Sequence, residues 1–262
     1  MKCCICGTVK NCGQYLNKVF KNIELIGALF EDYNIIIYYD KSDDDTLNIL
    51  KKYKNINPKL IFYVNLSPLS QFRTHNISKG RNICLEYIRN FYKDYEMFIM
   101  MDLDDVSCKE LNIEILQHYL NINDWDSLSF NTSPTYYDLW ALSIYPYYLN
   151  GFAFENHDII LTLLAKHITK KLSNLTSGEL LQCASAFNGF SIYRTNKFID
   201  CNYDGSMRLD LLPFINIFKN NNYINCKFNY KKEEDCEHRA FHFESIKKHN
   251  SRIMISSDII FK

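Results

Sequence analysis

The sequence is poor in breakers. Its 262 residues hold 8 glycines and 5 prolines, none gathered into a linker. That disfavours a string of separate modules and fits one large α/β domain, or a domain with a small lobe. No stretch reaches the ~18 apolar residues of a membrane-spanning helix. The nearest, "LWALSIYPYYLNGFAF", is broken by Pro146, Asn150 and Gly151. The opening "MKCCICGTVKNCG" has no long apolar segment of the kind a secretory leader carries. Neither sign of charge is in excess, with 30 Lys+Arg against 30 Asp+Glu; a dedicated nucleic-acid binder would carry a basic surplus. The expected protein is a soluble one of the cytoplasm, or of a virion or a virus-infected host cytoplasm, with no nucleic-acid partner and no membrane span.

Ten cysteines without an export signal read as reduced thiols. Cys3, Cys6 and Cys12 suggest half of a zinc site, but the second half is missing, and buried strand cysteines are the expected alternative. Hydrophobic residues make up 47% of the chain, enough for a full core.

Strands and helices alternate through the first half. "KCCICGTVK", "YNIIIYYD", "KLIFYVN" and "EMFIMMD" read as buried strands. Between them lie amphipathic helices over 14–30, from "SDDDTLNILKKYK", and from "KGRNICLEYIRNFYK". Four such units predict a mostly parallel sheet covered on both faces, with ligands beyond the carboxyl ends of its strands. In the second half "WDSLSFNTS" and "AFNGFSIYR" read as strands, "CEHRAFHFESIKKH" as a helix and "RIMISSDIIF" as a final strand or pair.

The chemistry concentrates where the fourth strand ends. "EMFIMMDLDDVSC" drives an apolar run into Asp102, Asp104 and Asp105. Carboxylates crowded at the edge of a core repel one another unless a cation lies between them. Side chains alternate along a strand, so Asp102 and Asp104 share a side and suit a hard ion, Mn²⁺ or Mg²⁺, completed by phosphate oxygens. A solvated acidic turn is the plainer alternative. Leu103, between them, falls within the expected nucleotide contact. Asp40 and Thr8, at the first two strand exits, are placed to meet the nucleoside, and Ser42 and Thr46 to cap the following helix. Arg73, Lys79 and Arg81 in "RTHNISKGRN" offer positive charge for a diphosphate. In "DCEHRAFH", His238 and His242 share a helix face and offer a nitrogen ligand, and Glu237 a base or an acceptor-binding carboxylate. Tyr136, Tyr137 and Trp140 offer rings on which a sugar could stack.

These segments resemble the GT-A glycosyltransferases, the nucleotide-sugar-dependent class with a Rossmann-like sheet and a D-x-D metal motif. "SDDDT" offers Ser42, Asp44 and Thr46 in the register of the strand-two signature. "KGRN" offers Arg81-Asn82, "AFNGFSIYR" resembles the acceptor-side strand, and "CEHRAFH" takes the place of the acidic motif and metal-binding histidine. With "YYDLWAL", it is similar to a branch among eukaryotic and large-virus sequences. The resemblance implies one domain over 1–262, with a nucleotide-binding half at 1–106 and an acceptor-binding half, carrying a smaller sheet, at 107–262. It implies a hexosyltransferase that uses a UDP- or GDP-sugar and a glycan or protein acceptor. Glu237 is the expected base if configuration inverts, and an acceptor-positioning group if it is retained. Two rivals are a sugar-phosphate nucleotidyltransferase, for which "GTVKNCGQYL" makes a poor phosphate cradle, and a degenerate sugar-nucleotide-binding module.

Overall fold

The structure, a computed structural model, describes residues 1–213, 226–229 and 233–262. Its strands are β1 (Lys2–Val9), β2 (Asp32–Tyr39), β3 (Leu60–Val64), β4 (Met97–Met101), β5 (Ser127–Asn131), β6 (Leu180–Cys183), β7 (Phe190–Arg194) and β8 (Ile253–Ile259). They form one eight-stranded sheet in the order β3-β2-β1-β4-β7-β5-β8-β6. The β1, β2, β3 and β4 pairings are parallel, whereas β7 runs antiparallel to both β4 and β5. The expected acceptor-side strands therefore extend the main sheet. Strand β7 pairs with β4 from Met97↔Arg194 to Met101↔Phe190, leaving no gap between the two groups of strands.

The helices are α1 (Gly13–Gly27), α2 (Thr46–Ile56), α3 (Arg73–Phe91), α4 (Ile113–Leu120), α5 (His157–Ser173), the single turn α6 (Thr195–Phe198) and α7 (Glu237–His249). Strand periodicity distributes them. Cys3, Ile5 and Val9 of β1 enter one core with Leu16, Val19, Ile23 and Ile26 of α1 and Leu50 of α2. Cys4 and Cys6 enter the opposite core with Cys84, Leu85 and Ile88 of α3 and Phe241 of α7. Cys3 and Cys6 thus point to opposite faces and cannot share an ion. All five β4 side chains are at most 1% exposed. Each contributes roughly 1.5–3 kcal/mol by leaving water, so β4 is a rigid rod along which the following carboxylates are aimed.

The chain runs from β1 outward to β2 and β3, then returns to place β4 on the other side of β1. That reversal opens a crevice beyond the carboxyl ends of β1 and β4, the usual ligand position of open α/β sheets.

Candidate active site

A cleft of about 470 Å³ occupies that crevice. Thr8 from β1, Asp40 after β2, Arg73 and Arg81 from α3, and Asp102, Leu103 and Asp104 after β4 all line it. Asp40 is pinned, since its Oδ1 accepts from Asn65 Nδ2 at 3.0 Å and from the Lys41 amide at 3.0 Å. The Asn65 partner was not anticipated, because nothing within the run "KLIFYVN" marks its last residue for a polar contact with another strand's exit. Helix α3 comes close enough to wall the cleft because residue 80 is glycine. A Cβ there would lie 2.6 Å from the Tyr38 ring and 2.8 Å from Thr8 Cγ2.

The "SDDDT" segment serves the cleft indirectly. Asn11 N donates to Ser42 Oγ at 2.9 Å, Gly13 N to Asp44 Oδ2 at 2.8 Å, and Cys12 N to Thr46 Oγ1 at 2.9 Å. Ser42, Asp44 and Thr46 therefore clamp the β1–α1 loop, whose Lys10 and Cys12 form one wall. The capping role expected of Ser42 and Thr46 is replaced by this clamp, and α2 begins without a side-chain cap.

Beyond β4 the backbone keeps its alternation. Leu103 turns into the core at 2% exposure, and Asp102 and Asp104 turn toward the cleft. Leu103 lines the cleft while its side chain packs into the core. Burial, with the nearby Asp104, Asp138 and Glu237 carboxylates, pushes Asp102 up to about 7 despite Arg81. Burial and Asp105 raise Asp104, and Arg73 partly offsets them. The donor set is all oxygen and negative charge outweighs positive, which fits a hard divalent ion.

Arg81 is the hub of the site. Only 3% exposed, it donates from Nη2 to Asp102 Oδ1 at 3.0 Å and ion-pairs through Nη1 with Glu237 Oε1 at 2.7 Å. Its guanidinium lies 4.5 Å from the Phe187 ring centre. Lys79, two residues earlier on α3, points to solvent away from the cleft. A two-residue step turns about 200° around a helix, so the two cations cannot face the same way.

The histidines have other employment. His242 is fully buried, with Ser185 Oγ 2.9 Å from Nδ1 and Tyr193 Oη 3.1 Å from Nε2, and burial lowers it to about 3. His238 stacks on Phe187 at 3.7 Å; burial and the Arg81 charge hold it neutral. Neither forms a tight ligand trio with Asp102 and Asp104. Among the described residues, the only three His, Cys, Asp or Glu ligand atoms within 4.8 Å of one another belong to Asp200, Cys201 and His249. Those lie at the opposite rim of the sheet, after β7 and at the end of α7, where Lys248 and His249 already balance Asp200.

In the second half of the chain, Asp138 and Asn188 clasp each other. Asn188 Oδ1 accepts from the Tyr137 and Asp138 amides, and Asp138 Oδ2 accepts from the Asn188 amide at 3.2 Å. Asn188 and Gly189 both have positive φ, and the Gly189 carbonyl accepts from the Asp102 amide at 2.9 Å. A Cβ at 189 would strike Tyr137 Oη at 2.6 Å. This turn fixes where the carboxylate loop leaves β4. Asp138 was missed as a site residue, although "YYDLWAL" places a carboxylate among aromatics. Tyr137 is 47% exposed beside these acids, Trp140 is half-buried against Phe152, and Tyr136 is core. Of the three, Tyr137 alone offers an exposed ring.

The sheet order, the parallel β1–β4 group and the crevice at its switch point define a GT-A-like α/β fold. No protein-family model matches the chain, and no curated protein matches it. Solved structures do. S. aureus TarS superposes with TM-score 0.51 at 14% identity, covering all of this chain and 36% of TarS. S. aureus TarS 1-349 in complex with UDP-GlcNAc gives 0.50 at 16% identity, covering all of this chain and 57% of that one. The mannosyltransferase PcManGT from Pyrobaculum calidifontis, in complex with GDP-Man and Mn²⁺, gives 0.42 at 9% identity over 77% of this chain and 47% of that one. The chain thus spans less than two thirds of each, and the likeness is one of fold. Among the described residues no helix is long and apolar enough to cross a membrane.

Proposed function

We propose that this chain transfers a sugar from a nucleotide diphosphate sugar, a UDP- or GDP-sugar, to a hydroxyl of a glycan or protein acceptor. The observation that carries the reading is the collection of Thr8, Asp40, Arg73, Arg81, Asp102 and Asp104 in one cleft at the switch point. The TarS fold, captured with UDP-GlcNAc, supports it at the level of architecture. Residues 1–106 form the donor half and 107–262 the acceptor half.

Asp102 and Asp104 would hold Mn²⁺ or Mg²⁺, which when bound stabilises the charge developing on a diphosphate leaving group. Arg73, at the cleft mouth, adds positive charge for the phosphates, and Arg81 holds Asp102 in place from behind. Asp40, fixed by Asn65, keeps its second oxygen for the ribose or base, and Thr8 flanks it. Tyr137 offers its exposed ring to the transferred sugar or the acceptor.

The test is donor turnover, as transfer or as slow hydrolysis, in a panel of UDP- and GDP-sugars with Mn²⁺. Release of nucleoside diphosphate that EDTA abolishes supports the reading. Nucleotide binding without turnover would indicate a degenerate binding module. Pyrophosphate exchange with a nucleoside triphosphate would indicate a nucleotidyltransferase.

A further inference from the structure

Resting on the proposed donor site, we infer that Glu237 is a positioning residue that acts through Arg81 on Asp102, and is not the group that deprotonates the acceptor. An acceptor base must reach a hydroxyl arriving from solvent. Glu237 is 4% exposed, does not line the donor cleft, and gives its Oε1 to Arg81 Nη1 at 2.7 Å. Around this pair the wall is aromatic and closed. Phe187 lies against both Arg81 and His238, and the Tyr203 ring is 5.7 Å from Arg81 and 5.3 Å from His238.

Arg81 has two arms, and each ends on a different carboxylate. Nη2 donates to Asp102 Oδ1 at 3.0 Å, and Nη1 faces Glu237. Its Nε and Nη1 are both buried without a hydrogen bond, so Nη1 meets Glu237 as a close charge contact while Nη2 hydrogen-bonds Asp102. Glu237 therefore takes up part of the guanidinium charge, so Arg81 is shared between two carboxylates and does not lie wholly against Asp102. Glu237 is the first residue of α7. The first turn of a helix favours a carboxylate, so this placement suits Glu237 to its pairing with Arg81.

The sign of the effect follows. Removing the Glu237 charge leaves Arg81 to lean wholly on Asp102 and adds one positive charge beside the cation position. Cation binding weakens, while metal-free nucleotide diphosphate binding holds or tightens. Loss of such an outer partner costs about 10- to 100-fold in metal affinity. The experiment is Glu237→Gln, with Mn²⁺ affinity read from the free-ion paramagnetic resonance signal, UDP binding read by calorimetry with and without Mn²⁺, and donor kinetics. The expected result is Mn²⁺ affinity down by about 10-fold or more, metal-free UDP binding undiminished, and a raised KM for the Mn²⁺–donor complex in protein that still melts cooperatively. Arg81→Lys, which keeps the charge and loses the fork, should weaken Mn²⁺ in the same direction; this variant stands in if Glu237→Gln does not fold. Unchanged Mn²⁺ affinity with kcat alone collapsed would overturn the inference in favour of a base, with the donor-site reading intact. Wild-type protein that binds neither Mn²⁺ nor nucleotide would overturn both.

Discussion

Two arginines meet the first turn of α7, both buried and both facing carboxylates, yet they are wired differently. Arg239 is satisfied on every side. Its Nε donates to Asp235 Oδ2, its Nη1 to the Leu142 carbonyl at 2.9 Å, and its Nη2 to the Tyr148 carbonyl. Asn150 completes Asp235 from the aromatic-rich stretch. This is a staple tying 142–150 to α7, with one anion and one cation enclosed together. Arg81 instead shares itself between Asp102 and Glu237, with Asp104 and Asp138 close by, and its buried Nε and Nη1 make no hydrogen bond. Burial does not separate the two, and neither does residue type. The difference is charge balance: the staple is closed, whereas the cleft is short of positive charge.

Mutations should expose that difference. Asp104→Ala is expected to bring metal-dependent turnover to background while the melting temperature stays near wild type, because the half-buried Asp104 side chain anchors only a local turn; a paired assay of donor turnover and thermal melting checks this. Arg239→Ala should do the reverse. Removing one partner of an enclosed pair costs about 3–5 kcal/mol, so urea unfolding should show a large loss of stability. If Arg239→Ala were as stable as wild type, the two arginines would not differ as claimed.

The same contrast predicts a pH dependence. Asp102 is raised to about 7 by burial and its carboxylate neighbours, above its unfolded value of about 3.9. The folded state therefore holds more protons than the unfolded between those limits, and metal-free stability falls as pH rises through them. A cation must displace that proton, so Mn²⁺ affinity should climb by about tenfold per pH unit up to pH 7 and then level. A titration from pH 5 to 8 decides this, and a flat affinity would remove Asp102 from the ligand set. The smallest effect belongs to the far rim. Asp200 is half exposed and already paired with His249 at 2.8 Å. Asp200→Asn should change stability by no more than about 1 kcal/mol and leave Mn²⁺ affinity unchanged in the same titration.

What could be read in advance follows the range of the interactions. Strands β1 to β4 are legible because a strand buried on both faces is an unbroken apolar run, as in Met97–Met101. Helix α5 was passed over. Its buried residues Ile160, Leu164, Ile168 and Leu172 recur every fourth position, but exposed Ile159 and Leu163 blur the stripe. Strand β6 is a four-residue, half-buried edge with too little pattern to mark it. At the site, Asp102, Asp104 and Arg81 stood out because each lies in a local signature. The Arg81–Glu237 pair and the Asp138–Asn188 clasp join distant segments, and no local pattern announces such partners. Lys79 falls outside the cleft lining for a geometric reason: a cation near a motif still has to point the right way, and a two-residue step around a helix turns it away from Arg81.

The account stands on crowded carboxylates that accept a divalent ion together with a diphosphate. Thermal melting with UDP-, GDP- and CMP-sugars, each with and without Mn²⁺, tests this most directly, since a ligand that binds only the folded state raises the melting temperature. The prediction is a rise with a UDP- or GDP-sugar that Mn²⁺ enlarges, no rise with the monophosphate-linked CMP-sugar, and no Mn²⁺-dependent gain in Asp102→Asn. A melting temperature indifferent to every combination would contradict it.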